Sequence, residues 1–386
     1  MPQILMSAYA GETSVNVPVL LANAPGEAST EDELTAALAD SSIDKITLMG
    51  DIGISSTLEV RRTVTLDLNG HVLKMTGSGS GIKVAGGGVL TITDSNKTAP
   101  HHFDATNDLW RLDEANGLET VYGGIITGGT GTNTTVGMEG GGVFVEAKGK
   151  LIMKGGNIVG CTADRDGGVC TSFYGGNQQE VGIFIMEGGS IRGCTATADG
   201  GGVAVNSSGG GGEASFTMKG GCIEACVAFH NGGGVAVINL SKFIMEGGKI
   251  IGCRAKDPSR VRAGGGVYSG AETTFEMSGG EISDCTADEG GGVYSAGDEF
   301  TMSGNAEIRG TVATGRQMNT DGGVIDGDVT IGLTVTGTGT GETEFKGKVT
   351  NNGTIENGKF TGEVIHEYNG WIKSGTFKEE VENKDG

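Results

Sequence analysis

One row of methionines constrains this chain more than any other feature. Met153, Met186, Met218, Met245, Met277 and Met302 recur at intervals of 33, 32, 27, 32 and 25 residues. Two positions before them stand Leu151, Phe184, Phe216, Phe243, Phe275 and Phe300. Five or six positions after them come Ile158, Ile191, Ile223, Ile250, Ile282 and Ile308. Cys161, Cys194, Cys226, Cys253 and Cys285 follow, each trailed two residues later by Ala163, Ala196, Ala228, Ala255 or Ala287. A GGGV-x-V element and a variable loop return repeatedly ahead of these units from about residue 139. Self-similarity at such a period is the signature of a stacked repeat architecture.

Spacing within the unit says what is stacked. Phe and Met lie two apart, as do Val203 and Val205, and Val235 and Val237. A period of two places one face of a strand inward. Ile-x-x-Cys departs from alternation at Gly160, Gly193 and Gly252, which suits a strand that ends in a bend. Each unit supplies three short strands with glycine corners, and it cannot bury its apolar face alone. Stacking at about 4.8 Å puts Phe on Phe, Met on Met and Ile on Ile, giving one continuous core. The expected fold is all-β, a right-handed parallel β-helix. Ankyrin and tetratricopeptide repeats have similar periods but need a helical pattern that is absent here.

Length varies only at the corners, as in 170–183, 206–215 and 257–262. The residues after each Met read Lys154, Glu187, Lys219, Glu246, Ser278 and Ser303, a row that alternates in charge if the rungs stack in register. Such cross-strand pairs contribute about 0.2–1 kcal/mol each.

The ends differ from the middle. Residues 30–40 predict one helix, with Thr30 and Glu33 as a capping box and Leu34, Ala37 and Leu38 on one face. A helix there would cover an unpaired sheet edge. Residues 95–120, with Pro100, His101, His102 and Trp110, break the pattern and read as a long loop. Phe345, Phe360 and Phe377, with Val349, Val364 and Val381 four residues later, read as shorter rungs. The chain divides into a weakly ordered leader (1–27), a helix-capped section with the first coils and the loop (28–138), about six regular rungs (139–325) and the shorter rungs (326–386). In the leader, Ala-Tyr-Ala before Gly11 resembles a signal-peptidase site, but no basic segment precedes it.

Composition bounds the partners. Gly is 75 of 386 residues without a G-X-Y period, which excludes collagen. The net charge of −21 repels nucleic acid and anionic lipid. No run approaches the roughly 20 apolar residues of a membrane span. Nothing in the pattern asks for a second copy, so a monomer is expected.

Chemistry has few candidates. The five repeated cysteines occupy an inward position and read as buried thiols, whereas Cys170 and Cys222 lie off the row and read as exposed or paired. Asp164, Asp166, Asp199, Asp288, Glu289 and Asp321 mark the corners; these are candidate Ca²⁺ ligands or ordinary turn residues. No other cofactor is expected. The five histidines share no motif, and Gly-rich runs such as Gly209–Gly212 read as loops. Phe144, Ala204, Ala236, Tyr268 and Tyr294 form the middle row of V-x-V. Phe144, Tyr268 and Tyr294 are the candidate ligand-binding residues, since exposed aromatic faces suit sugar rings. They are also readable as a plain surface ladder.

The GGGV and F-x-M-x-GG-x-I elements resemble those of bacterial surface β-helix proteins. They are similar to the GGA-I and F-x-x-N repeats of chlamydial polymorphic membrane proteins, with Met-x-Gly-Gly in place of the Asn. Residues from Glu33-Leu34 through Ile46-Thr47-Leu48 to Thr65-Leu66-Asp67-Leu68-Asn69-Gly70 resemble the start of large surface proteins of gut Firmicutes. The resemblance covers about residues 30–325. It implies a pectate-lyase-like fold and a secreted or cell-surface bacterial protein with an adhesin-like role. It implies no catalytic residues. A scaffold binding a glycan or host-surface ligand is the leading expectation; a polysaccharide lyase or glycoside hydrolase and a structural spacer are the alternatives. An enzyme needs carboxylates and a basic residue converging on one outward face, and Arg309 is set apart from Arg192 and Glu224 along their row by Ile251 and Ser283.

Overall fold

The computed structural model describes residues 23–383, apart from 105–108, 113–119, 132–139, 173–180, 208–213, 258, 333, 338–340, 368–370 and 380. Most of the expected leader, residues 1–22, and the run Gly209–Gly212 lie outside them. The described residues form a right-handed parallel β-helix with one short helix, as the repeat requires. A 25-stranded sheet (sheet I) carries two arms of every rung, the Phe–Met arm and the Ile arm; a 13-stranded sheet (sheet II) carries the Val-x-Val arm. A fourth strand was not foreseen. The two-residue segments Thr162–Ala163, Thr195–Ala196, Val227–Ala228 and Arg254–Ala255 stack into a small sheet of their own.

Stacking holds register residue on residue. Phe184, Phe216, Phe243, Phe275 and Phe300 pair in turn, with ring centroids 4.7–5.1 Å apart and planes within 7° of parallel. Every one is fully buried. Burial of one such ring stabilises by about 1.5–3 kcal/mol, and offset stacking adds about 0.5–1.5 kcal/mol. A slip of one residue would turn every apolar side chain outward.

The rows run on into both ends. The Phe row begins as Val64 and Leu90 and continues as Met318, Val335, Ile355 and Ile372. Phe345, Phe360 and Phe377 continue the Ile row, through Ile308 and Ile325, rather than the Phe row. The valine row is unbroken from Val143 through Val169, Val203, Val235, Val267, Val293, Val312, Val329, Val349 and Val364 to Val381. The shorter rungs therefore add to the same stack.

Glycine is required where the chain turns inward. Gly248 has φ +86°, and a Cβ there would sit 2.7 Å from Met218 Cε of the preceding rung. The corner backbone thus forms the seat of a core methionine.

Helix α1 spans Glu31–Ala39. Thr30 caps it and accepts from Glu33 N at 3.3 Å, but Glu33 reaches back to Ser29 N at 2.8 Å rather than closing the box on Thr30. Leu34 and Ala37 are buried against the first strands. Arg62 holds the other end, donating to the Ala37 and Leu38 carbonyls at 2.7 and 2.9 Å.

Residues 100–122 are not a plain loop. Pro100–Asp104, Leu109–Leu112 and Thr120–Tyr122 form a three-stranded antiparallel sheet on the side of the helix. His101 fastens it: the ring is fully buried, and Nε2 lies 2.8 Å from the Gly70 carbonyl oxygen. Beneath it, Asp94 accepts from Gly70 N and Gly124 N, both at 2.8 Å.

Candidate functional site

The middle residues of the Val-x-Val strands make one outward row on sheet II. From rung to rung it reads Lys83, Phe144, Cys170, Ala204, Ala236, Tyr268, Tyr294, Ala313, Thr330 and Thr350. The first half of the row is covered. Phe144, Cys170, Ala204 and Ala236 are all buried. Over Ala204 and Ala236 the cover is the glycine corner of the same rung folding back: a Cβ on Gly200 would sit 2.7 Å from Ala204 Cβ, and one on Gly232 2.7 Å from Ala236 Cβ.

From Tyr268 onward the face opens. Gly264 takes the same corner position, but the phenol of Tyr268 reaches beyond it and is half-buried, like that of Tyr294. The two rings stack with centroids 5.7 Å apart and planes at 7°. Burial, and after it the charge of Asp199, pushes the Tyr268 hydroxyl above its ordinary pKa, so it remains a hydrogen-bond donor at neutral pH.

Beyond Tyr294 the open face becomes a groove of about 370 Å³. Ala313 and Thr330 are its floor, Tyr294 closes one end, and Thr311 lies on its side. Asp288 and Glu289 stand on the corner above it, and Asp328 on the next. All three carboxylates are exposed, and among the described residues no Lys, Arg or His lines the groove.

The structure separates the sequence candidates into groups. Tyr268 and Tyr294 come together as neighbours. Phe144 does not join them: three buried residues of the row lie between, only 6% of it is exposed, and Lys83 Nζ sits 6.0 Å from its ring centroid.

The acidic corner residues are spread over several rungs, and two of them face backbone. Asp199 Oδ1 accepts from Asn231 N at 2.9 Å, and Asp288 Oδ2 from Arg262 N at 2.8 Å. Asp164 is exposed, and its carbonyl oxygen accepts from the Thr197 hydroxyl. Asp166 is buried, and its Oδ2 accepts from the Cys170 thiol at 2.9 Å. Among the described residues, no three such side chains gather as a metal would need. Cys170 is thus neither exposed nor bridged, contrary to expectation, because the corner carrying Gly140 closes over it. The five row cysteines are buried, with Sγ of Cys226 3.4 Å from the Glu224 carbonyl oxygen and the others similarly placed.

Several charged pairs elsewhere are rung-to-rung ties. Lys154 meets Glu187 at 3.6 Å and Lys219 meets Glu246 at 3.9 Å, as the alternating row requires. Arg192 pairs with Glu224 at 3.7 Å, and Arg309 with Glu307 and Glu281 at 2.7 and 3.3 Å. A second hollow, of about 490 Å³, lies between α1 and the strand Leu58–Val60, where Arg62 is already engaged with the helix end.

Asp288 and Glu289 were legible as acidic corner residues. Ala313, Thr330, Thr311 and Asp328 were not singled out, because the strand Val312–Thr314 lacks the GGG header that marks the rungs before it. Stepping the valine row one rung past Val293 was the available signal.

Among the described residues no helix is long and apolar enough to cross a membrane. No curated protein and no solved structure matches the chain. The N-terminal part of the β-helix, residues 26–139, matches the family described as a pectate lyase-like adhesive domain.

Proposed function

We propose that this protein is a non-catalytic, adhesin-like scaffold, secreted or displayed on a bacterial surface, that holds a glycan against the open face of sheet II. One observation carries the reading: the face is sealed by corners as far as Ala236 and then presents a stacked tyrosine pair that leads into a groove. An aromatic ring half-exposed beside hydroxyl and carboxylate groups offers a sugar both an apolar face and hydrogen-bond acceptors. The adhesive-domain match over residues 26–139 supports the role without bearing on the ligand. A lyase finds less support, since among the described residues the groove's charged groups are all acidic, with no lysine, arginine or histidine beside them. Glycan-array binding of the full chain beside Tyr268→Ala and Tyr294→Ala tests the proposal. Loss of signal in both variants is the expected result, whereas binding that survives both removes the site. Uronic-acid release from a polysaccharide panel, if it occurred with turnover, would overturn the non-catalytic reading.

A further inference from the structure

The tyrosine stack stops one place short. Tyr268 pairs with Tyr294, and the next residue in the row, in register, is Ala313. A methyl group occupies a small part of the space a phenol takes. The face of Tyr294 turned away from Tyr268 therefore borders the groove above Ala313. The core shows the same geometry filled: where each rung supplies a ring, centroids repeat at 4.7–5.1 Å. The groove, of about 370 Å³, is large enough for one more flat ring beside Tyr294.

Charge narrows the occupant. Asp288, Glu289 and Asp328 line the groove, and among the described residues no basic side chain does. Asp288 and Asp328 each accept one backbone N–H, from Arg262 at 2.8 Å and Lys348 at 2.9 Å, which leaves acceptor capacity on both carboxylates. Placing an anionic sugar among three carboxylates on a chain of net charge −21 is repulsive, and a cation there is attracted. Stacking asks for a flat apolar face, and the carboxylates ask for an adjacent positive charge. A hexosamine has both on one ring: axial C–H groups on its face and an ammonium on its edge.

We infer that the place above Ala313 takes one pyranose of an amino-sugar polymer, stacked on Tyr294 with its ammonium held by Glu289 and Asp328. The inference rests on the glycan-binding reading above and adds the position and charge of the sugar. The held ring lies parallel to the tyrosine rings, across the helix axis. A β-linked polymer then leaves the groove sideways and is gripped through one residue.

The experiment titrates the full chain with glucosamine hexamer, N-acetylglucosamine hexamer, galacturonate hexamer and a lysine hexapeptide, at low and moderate salt. Expected is a preference of tenfold or more for the glucosamine hexamer over its acetylated form at low salt, shrinking as salt rises. Ala313→Tyr, which fills the place, should abolish binding, and so should Tyr294→Ala, with circular dichroism unchanged in both. Glu289→Gln with Asp328→Asn should bring the two hexosamine oligomers to within about twofold. Equal or tighter binding of the acetylated or galacturonate hexamer, still lost in Ala313→Tyr, overturns the charge assignment and leaves glycan binding standing. Glucosamine binding that survives Ala313→Tyr overturns the position. Lysine hexapeptide binding as tight as the glucosamine hexamer, and likewise lost in Ala313→Tyr, overturns the sugar assignment. No binding of any sugar oligomer overturns both readings.

Discussion

The thiol of Cys170 donates to the carboxylate of Asp166 across 2.9 Å, and neither side chain reaches solvent. Burial lifts the Asp166 carboxyl from 3.8 to about 7, with the thiol hydrogen bond opposing the rise and Asp199 adding to it. In the unfolded chain the same group ionises near 3.9. Between about pH 4 and 7 the folded state therefore keeps a proton that the unfolded state has lost. The group's contribution to stability is greatest below pH 4 and declines as pH rises to 7, by about 4 kcal/mol at most. Asp166→Asn keeps an acceptor for the thiol and removes the titration. The variant should gain on the native chain across that window in guanidinium unfolding at pH 4.5, 6 and 8. Parallel pH dependence of the two proteins would sink the assignment.

Phe243 lies between Phe216 and Phe275, at 4.8 and 5.1 Å, whereas Phe377, among the described residues, stacks on Phe360 alone and is partly exposed. Phe243→Ala should cost about 3–5 kcal/mol, and Phe377→Ala well under half of that. Denaturant midpoints measure both, and equal losses would contradict the picture of a stack whose interior rungs have two neighbours.

Five bends follow the Ile strands, at Gly160, Gly193, Ala225, Gly252 and Asp284, with φ of 62°, 59°, 51°, 62° and 55°. Two of them force a side chain into the left-handed region, which costs roughly 1–2 kcal/mol, against about 0.5–1 kcal/mol for the extra freedom of an unfolded glycine. Ala225→Gly and Asp284→Gly should each stabilise by up to about 1 kcal/mol. Thermal melts check it; a lowered midpoint in both would show that the side chains contribute more than the strain.

Cys222 is the one cysteine not fully enclosed, and burial, followed by the charge of Glu224, raises its thiol to about 11. Alkylation of the folded chain at pH 8 should label this residue alone, on the order of a hundredfold more slowly than an open thiol. Mass spectrometry before and after unfolding counts the sites. Fast native labelling of Cys170 or of the row cysteines would contradict their burial.

How much of this was legible can be judged residue by residue. Phe184 on Phe216, Ile191 on Ile223 and Lys154 beside Glu187 follow from spacing alone, because a period of two combined with a fixed repeat leaves one register that buries the apolar face. Phe345, Phe360 and Phe377 were visible as a series, but their place in the Ile row was hidden. Assigning it needs the long strands Glu299–Arg309 and Gln317–Ile325, which run through both arms of sheet I. The sheet over residues 100–122 has no repeat partner, so periodicity was silent about it. Phe144 and Tyr268 look alike in sequence because both occupy the middle of a V-x-V or V-x-S strand. Only the fold of the corners shows that one is covered and the other open. Tyr294 was found by its type, whereas the place beside it is defined by the smallness of Ala313, and a small residue announces nothing.

Each rung is joined to the next by hydrogen bonds that run along the solenoid axis, by stacked side chains and by ion pairs on the outer face. Tension applied to the two ends loads those bonds a few at a time, as in peeling tape, rather than all at once, as in shearing it. The stack should then lengthen in discrete steps, each freeing one repeat of 25 to 33 residues, or roughly 80–120 Å of extended chain. For a tether between two moving bodies, that makes the Phe and Val rows a shock absorber whose stroke is set by the number of rungs.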